Sequence, residues 1–217
     1  MTDKNLVWYV GFGSNISTER FRCYITGGQP AGSERNYDGC RNTSPPTQDE
    51  PTTIKHELYF AKNSSAWEDG GVGFVSVGAN DNTTTFARMY LVTKQQLEDI
   101  AKQETNSVDY LTINFDEAIS NGNTVFKSPS WYGKLLYLGE NNGRPMFTLT
   151  NEITLPNATK PSARYLRTII TGLKQSHKLT TQVMINYLMD KRGINGNYTT
   201  EELGDLIEQV ETNYEAA

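Results

Sequence analysis

The amino-acid sequence predicts an α+β fold, and three observations support this prediction. Short β-prone apolar runs cluster before residue 150, and helical patterns cluster after residue 160. Between them, Thr93 and Gln96 form a capping box that predicts one helix within the strand-rich region. Strands that come first and helices that come later favour α+β over a doubly wound parallel sheet, in which the two alternate.

The first predicted strand spans residues 6–10, a short apolar run that Gly11 ends. The next strands are expected at 54–61, 71–78 and 85–92, and the last two are joined by the polar turn ANDNTT. A final pair at 131–138 and 145–149 brackets Asn142-Gly143, a dipeptide typical of tight β-hairpin turns.

The helices are predicted from their start signals. The capping box of Thr93 and Gln96 predicts a helix over 94–106. Three more helices are expected near the end of the chain: one from about residue 162, one over 181–191, and one after the capping box of Thr199 and Glu202.

The segment 26–53 is predicted to be a long irregular loop, because it contains the breaker-rich stretches GGQPAG and SPPTQDEP. A loop of this length is either a functional lid or a poorly ordered segment. The chain has 217 residues, a length that suits a single domain over 1–217.

The composition argues against nucleic acid and membranes as partners of the protein. The net charge is −5, and the sequence has no basic cluster of the kind that binds nucleic acid or anionic membranes. We also find no secretion signal and no apolar run long enough to cross a bilayer. These features predict a cytoplasmic protein that acts on a small molecule, with Cys23 and Cys40 reduced, and they leave the oligomeric state open.

Metal chemistry is not predicted. His56 and His177 are the only histidines, they lie far apart in the chain, and no HExxH motif or cysteine set accompanies them. The sequence therefore predicts neither a metal site nor another cofactor, and it disfavours a zinc hydrolase or deacetylase.

The stretch WYVGFGSNIS at 8–17 contains two glycines around Phe12, and such a turn either cradles an anion or only redirects the chain. It is not a dinucleotide fingerprint, because Ile16 occupies the place of the last glycine or alanine. It is not a nucleophile elbow either, since no glycine stands two residues to either side of Ser14.

A carboxylate continues the apolar stripe of the helix predicted over 94–106. Leu97, Ile100 and Ala101 form the stripe, and Glu104 is the next residue on that face. From the spacing alone, Glu104 lies either at a helix end in solvent or in a partly apolar pocket.

Several motifs in matching order resemble the γ-glutamyl cyclotransferase-like family. FGSNI at 12–16 is similar to the Y-G-S-N-L turn of that family, and Gln103-Glu104-Thr105 is similar to its helix-terminal Q-E-G. HELYFAKNSSAWEDGGVGFVSV resembles the segment between them, and PSARY at 161–165 resembles its later helix start. The matches span about residues 6 to 190, and ERFRCYITGG resembles a bacterial branch of the family.

The resemblance implies a fold and a reaction. The fold would be a small mixed β-barrel, closed or nearly closed, flanked by helices. The enzyme would convert a small γ-glutamyl amide into 5-oxoproline and a free amine or amino acid, with Glu104 as general acid and base and without a cofactor. The substrate-binding residues carried over from the family are Phe12, Gly13, Ser14, Asn15, Ile16 and Tyr165.

Two positions depart from the family pattern, and some roles stay open. Phe12 replaces the usual tyrosine, and Thr105 replaces a glycine after the glutamate. Tyr165, Trp67 and Tyr110 each either contact the substrate or belong to the core. A second function remains possible on the same fold: a non-catalytic module whose glycine turn captures a small carboxylate ligand while Glu104 only ends a helix.

Overall fold

A computed structural model describes residues 4–30 and 35–215, with side chains to residue 212. Its strands are β1 (Leu6–Gly11), β2 (Asp49–Ile54), β3 (Leu58–Ser64), β4 (Gly70–Val75), β5 (Thr85–Thr93), β6 (Asn123–Val125), β7 (Lys134–Asn141) and β8 (Arg144–Thr150). Its helices are α1 (Thr18–Thr26), α2 (Lys94–Glu104), α3 (Phe115–Asn121), α4 (Ala163–His177), α5 (Thr181–Met189) and α6 (Thr200–Glu215).

The predicted α+β class is confirmed, with a mixed sheet flanked by helices. The main sheet has the order β2-β5-β1-β8-β7-β6, in which β1 runs antiparallel to β5 and parallel to β8. β3 and β4 form a separate antiparallel pair. Within the described ranges the strands form no closed ring, so the barrel expected from the resemblance is corrected to an open sheet packed against a two-stranded ribbon.

β1 is buried on both faces, which explains its continuous apolar sequence. Val7 and Tyr9 belong to the core that α1, α2 and α3 cover, whereas Trp8 and Val10 belong to the core beneath the β3–β4 ribbon and the three C-terminal helices. The turn after β1 therefore emerges between two packed layers.

Strand boundaries and pairing differ from the prediction in the middle of the chain. The strand expected over 54–61 corresponds to β3, which begins only at Leu58, whereas Ile54 is the last residue of β2. β4 and β5 do not pair with each other: β4 pairs with β3, and β5 lies between β1 and β2. The hairpin at Asn142-Gly143 is confirmed, since β7 and β8 pair and both turn residues have positive φ.

The helices with capping signals are confirmed. The Thr93 and Gln96 box is present, and α2 ends at Glu104, two residues earlier than predicted. The irregular segment is shorter than 26–53, because α1 ends at Thr26 and β2 begins at Asp49. Residues 31–34 of that segment lie outside the described residues. The sequence reasoning missed α1, α3, β6 and all of β2 except Ile54, and the single domain over 1–217 stays a prediction.

α4 touches the turn that follows β1. A Cβ atom at Gly172 of α4 would clash with Ile16 Cγ2 and would lie 2.8 Å from the Ser17 nitrogen. A glycine at this position therefore lets the helix backbone approach residues 16 and 17. At Gly204 of α6, by contrast, the nearest atom to an added Cβ is Ile185 Cδ1, at 3.9 Å.

We predict that Gly172→Ala and Gly204→Ala change stability in opposite directions. Gly172→Ala should lower the free energy of unfolding by about 1–3 kcal/mol, because overpacking outweighs the better helix propensity of alanine. Gly204→Ala should raise it by about 0.5–1 kcal/mol, because the added methyl group makes an ordinary contact. Urea denaturation of both variants measures the difference, and equal stabilisation by both would contradict the packing described.

The two free cysteines should differ in reactivity. Cys40 is buried, and burial, together with the nearby charge of Asp99, raises the pKa of its thiol to about 12. Cys23 is partly exposed. At pH 8 a thiol reagent should therefore modify Cys23 in the native protein and reach Cys40 only after denaturation. Peptide mapping of the labelled protein measures this order, and rapid native labelling of Cys40 would contradict it.

Candidate active site

A cavity of about 120 Å³ lies beside the turn that follows β1. Five of the predicted site residues line it: Phe12, Ser14, Asn15, Glu104 and Tyr165. They come from the turn, from the last residue of α2 and from the first turn of α4. Residues that the resemblance placed in one site are thus adjacent in the fold.

The turn is a single 3-10 turn over Gly13–Ile16. Gly13 has a φ of 56°, and a Cβ at this position would lie 3.1 Å from the Tyr165 hydroxyl oxygen, so glycine suits both the backbone conformation and the close approach. Gly13 and Ile16 do not belong to the cavity lining. Ile16 is instead buried in the core, against α4.

Glu104 is half-buried and lines the cavity, so it does not emerge from the helix into open solvent. Its Oε1 atom accepts hydrogen bonds from Asn15 Nδ2 at 2.9 Å and from the Tyr24 hydroxyl at 2.7 Å. Within the described residues, no hydrogen bond reaches Oε2. A carboxylate at a helix C-terminus meets the negative end of the helix dipole, and the two donors offset that repulsion.

Arg20 of α1 is 7% exposed and completes this cluster. Its Nε donates to Asn15 Oδ1 and one terminal nitrogen donates to the Tyr24 hydroxyl, both at 3.3 Å. Asn15 and Tyr24 therefore each connect Arg20 to Glu104. We call Arg20, Asn15, Tyr24 and Glu104 the four-residue ring.

The charge states of the ring follow from its surroundings. Burial and the charge of Glu104 raise the pKa of Tyr24 well above its usual value, so its hydroxyl stays protonated and donates. Burial alone would lower the pKa of Arg20, but its interactions with Tyr24, Tyr37 and Glu104 raise it overall. The ring thus contains a permanent cation.

Two further tyrosines form another wall of the cavity. The Gly73 amide donates to the Tyr165 hydroxyl at 3.0 Å, and the Tyr132 hydroxyl donates to the Gly73 carbonyl at 2.9 Å. Burial raises the pKa of both phenols, so both remain protonated near neutral pH. Tyr165 belongs to the core and also lines the cavity, and the same holds for Trp67.

Tyr110 lies neither in the hydrophobic core nor in the lining of the cavity. Its side chain is 61% exposed, lies near the charged groups of Arg41 and Lys102, and does not line the cavity. The expected core role of Tyr110 is therefore wrong, and its expected contact with the substrate finds no support in the cavity lining.

A wider groove of about 700 Å³ shares Arg35, Glu104 and Trp131 with the cavity. Lys127 also lines it and donates to the Thr105 carbonyl at 3.2 Å and to Ser107 Oγ at 2.6 Å. Thr105, the departure from the family glycine, is itself anchored by a 2.8 Å hydrogen bond from its hydroxyl to the Ala101 carbonyl. The segment after Glu104 is therefore fixed by side-chain contacts.

Sequence reasoning missed Arg20 and Tyr24, although a signal for their helix exists. Phe21, Tyr24 and Ile25 have the i, i+3, i+4 spacing of an apolar helix face, and all three are buried. Among the residues with described positions, no group of three His, Cys, Asp or Glu side chains could hold a metal ion. No helix in that part of the chain is long and apolar enough to span a bilayer.

Comparison with known proteins gives the following similarities. No family model matches the chain. The sequence is 33% identical over 198 residues to Histone deacetylase 5 of Arabidopsis thaliana, a match that covers 84% of this chain and 30% of that protein. The chain thus spans less than a third of the length of that relative.

Three solved structures are similar at low identity. A protein named gamma-glutamyl cyclotransferase is 15% identical, with a TM-score of 0.47 and coverage of 94% of this chain and 99% of that chain. An uncharacterised Homo sapiens protein is 16% identical, with the same TM-score and the same coverage. A yeast γ-glutamyl cyclotransferase specific to glutathione is 11% identical, with a TM-score of 0.29 and coverage of 96% of each chain.

Proposed function

We propose that this chain cyclises a small γ-glutamyl amide, releasing 5-oxoproline and a free amine or amino acid, with Glu104 as general acid and base. The observation that carries the proposal is the arrangement of Glu104 in the cavity. Asn15 and Tyr24 hold one oxygen of its carboxylate, and Oε2 remains for proton exchange with a ligand. The motif order of the sequence supports the same assignment.

The proposed reaction needs no nucleophile from the protein. Glu104 takes a proton from the α-ammonium group of the substrate, and the freed amine attacks the γ-amide carbonyl carbon. The ring C–N bond forms, the original amide C–N bond breaks, and the proton on Glu104 passes to the departing nitrogen. The new ring nitrogen then gives up its second proton, which also reaches the departing nitrogen through Glu104, so that the products are the neutral lactam and an ammonium ion. Aligned intramolecular attack reaches effective molarities of roughly 10⁵–10⁸ M, so positioning supplies much of the rate.

The cavity wall formed by Tyr132 and Tyr165 suits the negative charge that develops on the γ-carbonyl oxygen of the substrate. The carbonyl oxygen becomes negative as the amine attacks, and hydrogen-bond donors placed near that oxygen stabilise the transition state. Tyr165 retains its phenolic proton and lines the cavity, so we assign it this contact. The wider groove past Glu104 would receive the departing amine.

The predicted loop contributes to the site in a way that supports a role in specificity. Arg35 and Tyr37 lie in the segment between α1 and β2, and both line the cavity.

Two expectations from the sequence, membership of the bacterial branch of the family and a cytoplasmic location, stay predictions. The deacetylase activity in the name of the plant relative is not assigned to this chain, which aligns with only 30% of that protein.

The alternative function is a non-catalytic module that binds a small ligand. It is favoured by Thr105, which replaces the glycine of the family motif and is held in place by a hydrogen bond. In that case a γ-glutamyl ligand binds saturably and is recovered unchanged. In the enzyme case a panel of γ-glutamyl amino acids and amines yields 5-oxoproline from at least one member. The two functions therefore give opposite results in one assay.

We predict that Glu104→Gln lowers kcat roughly 10²- to 10⁴-fold, because glutamine retains the size and hydrogen bonding of glutamate but cannot exchange the proton. The variant should fold normally and still bind a γ-glutamyl ligand. The matched control is Glu98→Gln, which makes the same change on the same helix outside the cavity lining. Steady-state release of 5-oxoproline measures both variants.

The Glu98→Gln control separates a loss of catalysis from a loss of stability in the Glu104 variant. Glu98 accepts a hydrogen bond from the Ile113 amide, so its variant reports the stability effect of losing a carboxylate on α2 without loss of the base. Near-wild-type turnover by a folded Glu104→Gln protein would remove the catalytic assignment.

Tyr24→Phe should lower kcat/KM about three- to tenfold, because Glu104 loses one of the two donors that orient its carboxylate. Tyr110→Phe is the matched control, since Tyr110 is exposed and does not line the cavity. Kinetics with a single γ-glutamyl substrate compare the two. If both variants retain full activity, Tyr24 does not position the carboxylate.

A further inference from the structure

Arg20 is a buried cation that forms no direct ion pair with a carboxylate in the described part of the chain, and Glu104 reaches it only through Asn15 and Tyr24. Arg20 is 7% exposed, and none of the ion pairs among the described residues includes it. Buried guanidinium groups are normally paired with an anion, because removing the charge from water is costly. The two acceptors that Arg20 does have, Asn15 and Tyr24, are neutral and lie at 3.3 Å.

The surroundings of Arg20 hold the guanidinium group beside the cavity. Its central carbon lies 5.2 Å from the Trp67 ring centroid and 5.4 Å from that of Tyr37, and all three residues line the cavity. A guanidinium group has five N–H donors, and its hydrogen bonds to described residues come from two of its nitrogens. Donors therefore remain for an anionic ligand in the cavity.

The four-residue ring holds the Arg20 guanidinium group and the Glu104 carboxylate at a short distance from each other, with one side chain between them. Asn15 and Tyr24 each bridge Arg20 and Glu104, so one amide or one hydroxyl group stands between the cation and the carboxylate. The α-carbon of a γ-glutamyl group carries a carboxylate and an ammonium group next to each other. A site with a cation and an anion one side chain apart complements that pair of charges.

We propose that Arg20 binds the α-carboxylate of the γ-glutamyl group, while Glu104 faces the α-amino group. This assignment makes Arg20 the residue that distinguishes an α-amino acid head group from a simple amine. It rests on the proposed function for the identity of the substrate, but carboxylate recognition can be measured without turnover.

The competing explanation is structural: Arg20 would only hold Asn15 and Tyr24 in place. The two explanations differ in what they predict for ligands without a carboxylate. A structural role weakens every ligand equally when Arg20 is changed. A carboxylate-binding role weakens only the ligands that carry the carboxylate.

Two ring compounds test the difference by calorimetry or ligand-observed NMR: 5-oxoproline, and 2-pyrrolidinone, which is the same ring without the carboxylate. The wild-type protein should bind 5-oxoproline roughly 10- to 100-fold more tightly, as expected for charge-assisted hydrogen bonds. Arg20→Met should remove that advantage and leave 2-pyrrolidinone binding unchanged. Arg22→Met, the same change at an exposed position of α1, should leave both affinities unchanged.

Arg20→Lys keeps the charge but loses the planar donor set, so it should retain part of the preference. If Arg20→Met does not fold, the wild-type ligand pair and Arg20→Lys decide the question. Equal binding of the two compounds by the wild-type protein, undetectable binding of 5-oxoproline, or an equal loss of both in Arg20→Met would overturn the proposal. Failure of the proposed function shows separately, as the absence of 5-oxoproline from any γ-glutamyl amide.

Discussion

The hydrogen-bonded ring of Arg20, Asn15, Tyr24 and Glu104 is the constraint on which the site depends. A guanidinium group and a carboxylate in one small cavity attract each other strongly, and a direct ion pair would satisfy both and leave neither for a ligand. The amide and the phenol hold the two charges apart while they remain hydrogen-bonded to each. The site thus keeps a cation and an anion available at a fixed separation.

The fold supplies the members of the ring from three neighbouring segments. The turn after β1 contributes Asn15, α1 contributes Arg20 and Tyr24, and the end of α2 contributes Glu104. β1 is buried between two cores, and α4 closes on the turn where Gly172 allows backbone contact. Side chains on such packed elements have little freedom, so the ring is positioned before any ligand binds.

The sequence predicted those parts of the structure that depend on local signals. The capping box at Thr93 predicted the start of α2. The apolar stripe put Glu104 on the same helix face as Leu97, Ile100 and Ala101, but the spacing alone left open whether its carboxylate lies in solvent or in a pocket. α1 was missed because its nine residues lie next to a breaker-rich segment that dominated the composition. Arg20 was missed with it, since nothing in a short helical stretch shows that an arginine will be buried. Strand partners and the open sheet depend on contacts between distant segments, which periodicity does not record.

The central claim is that the substrate amine, rather than water, attacks the γ-carbonyl carbon. Turnover of a γ-glutamyl amide in water enriched in ¹⁸O, followed by mass spectrometry, tests it most directly. The account predicts equal amounts of 5-oxoproline and free amine, with no ¹⁸O in the 5-oxoproline and no glutamate formed. Glutamate carrying ¹⁸O would show hydrolysis by water and would contradict the account, as would recovery of unchanged substrate.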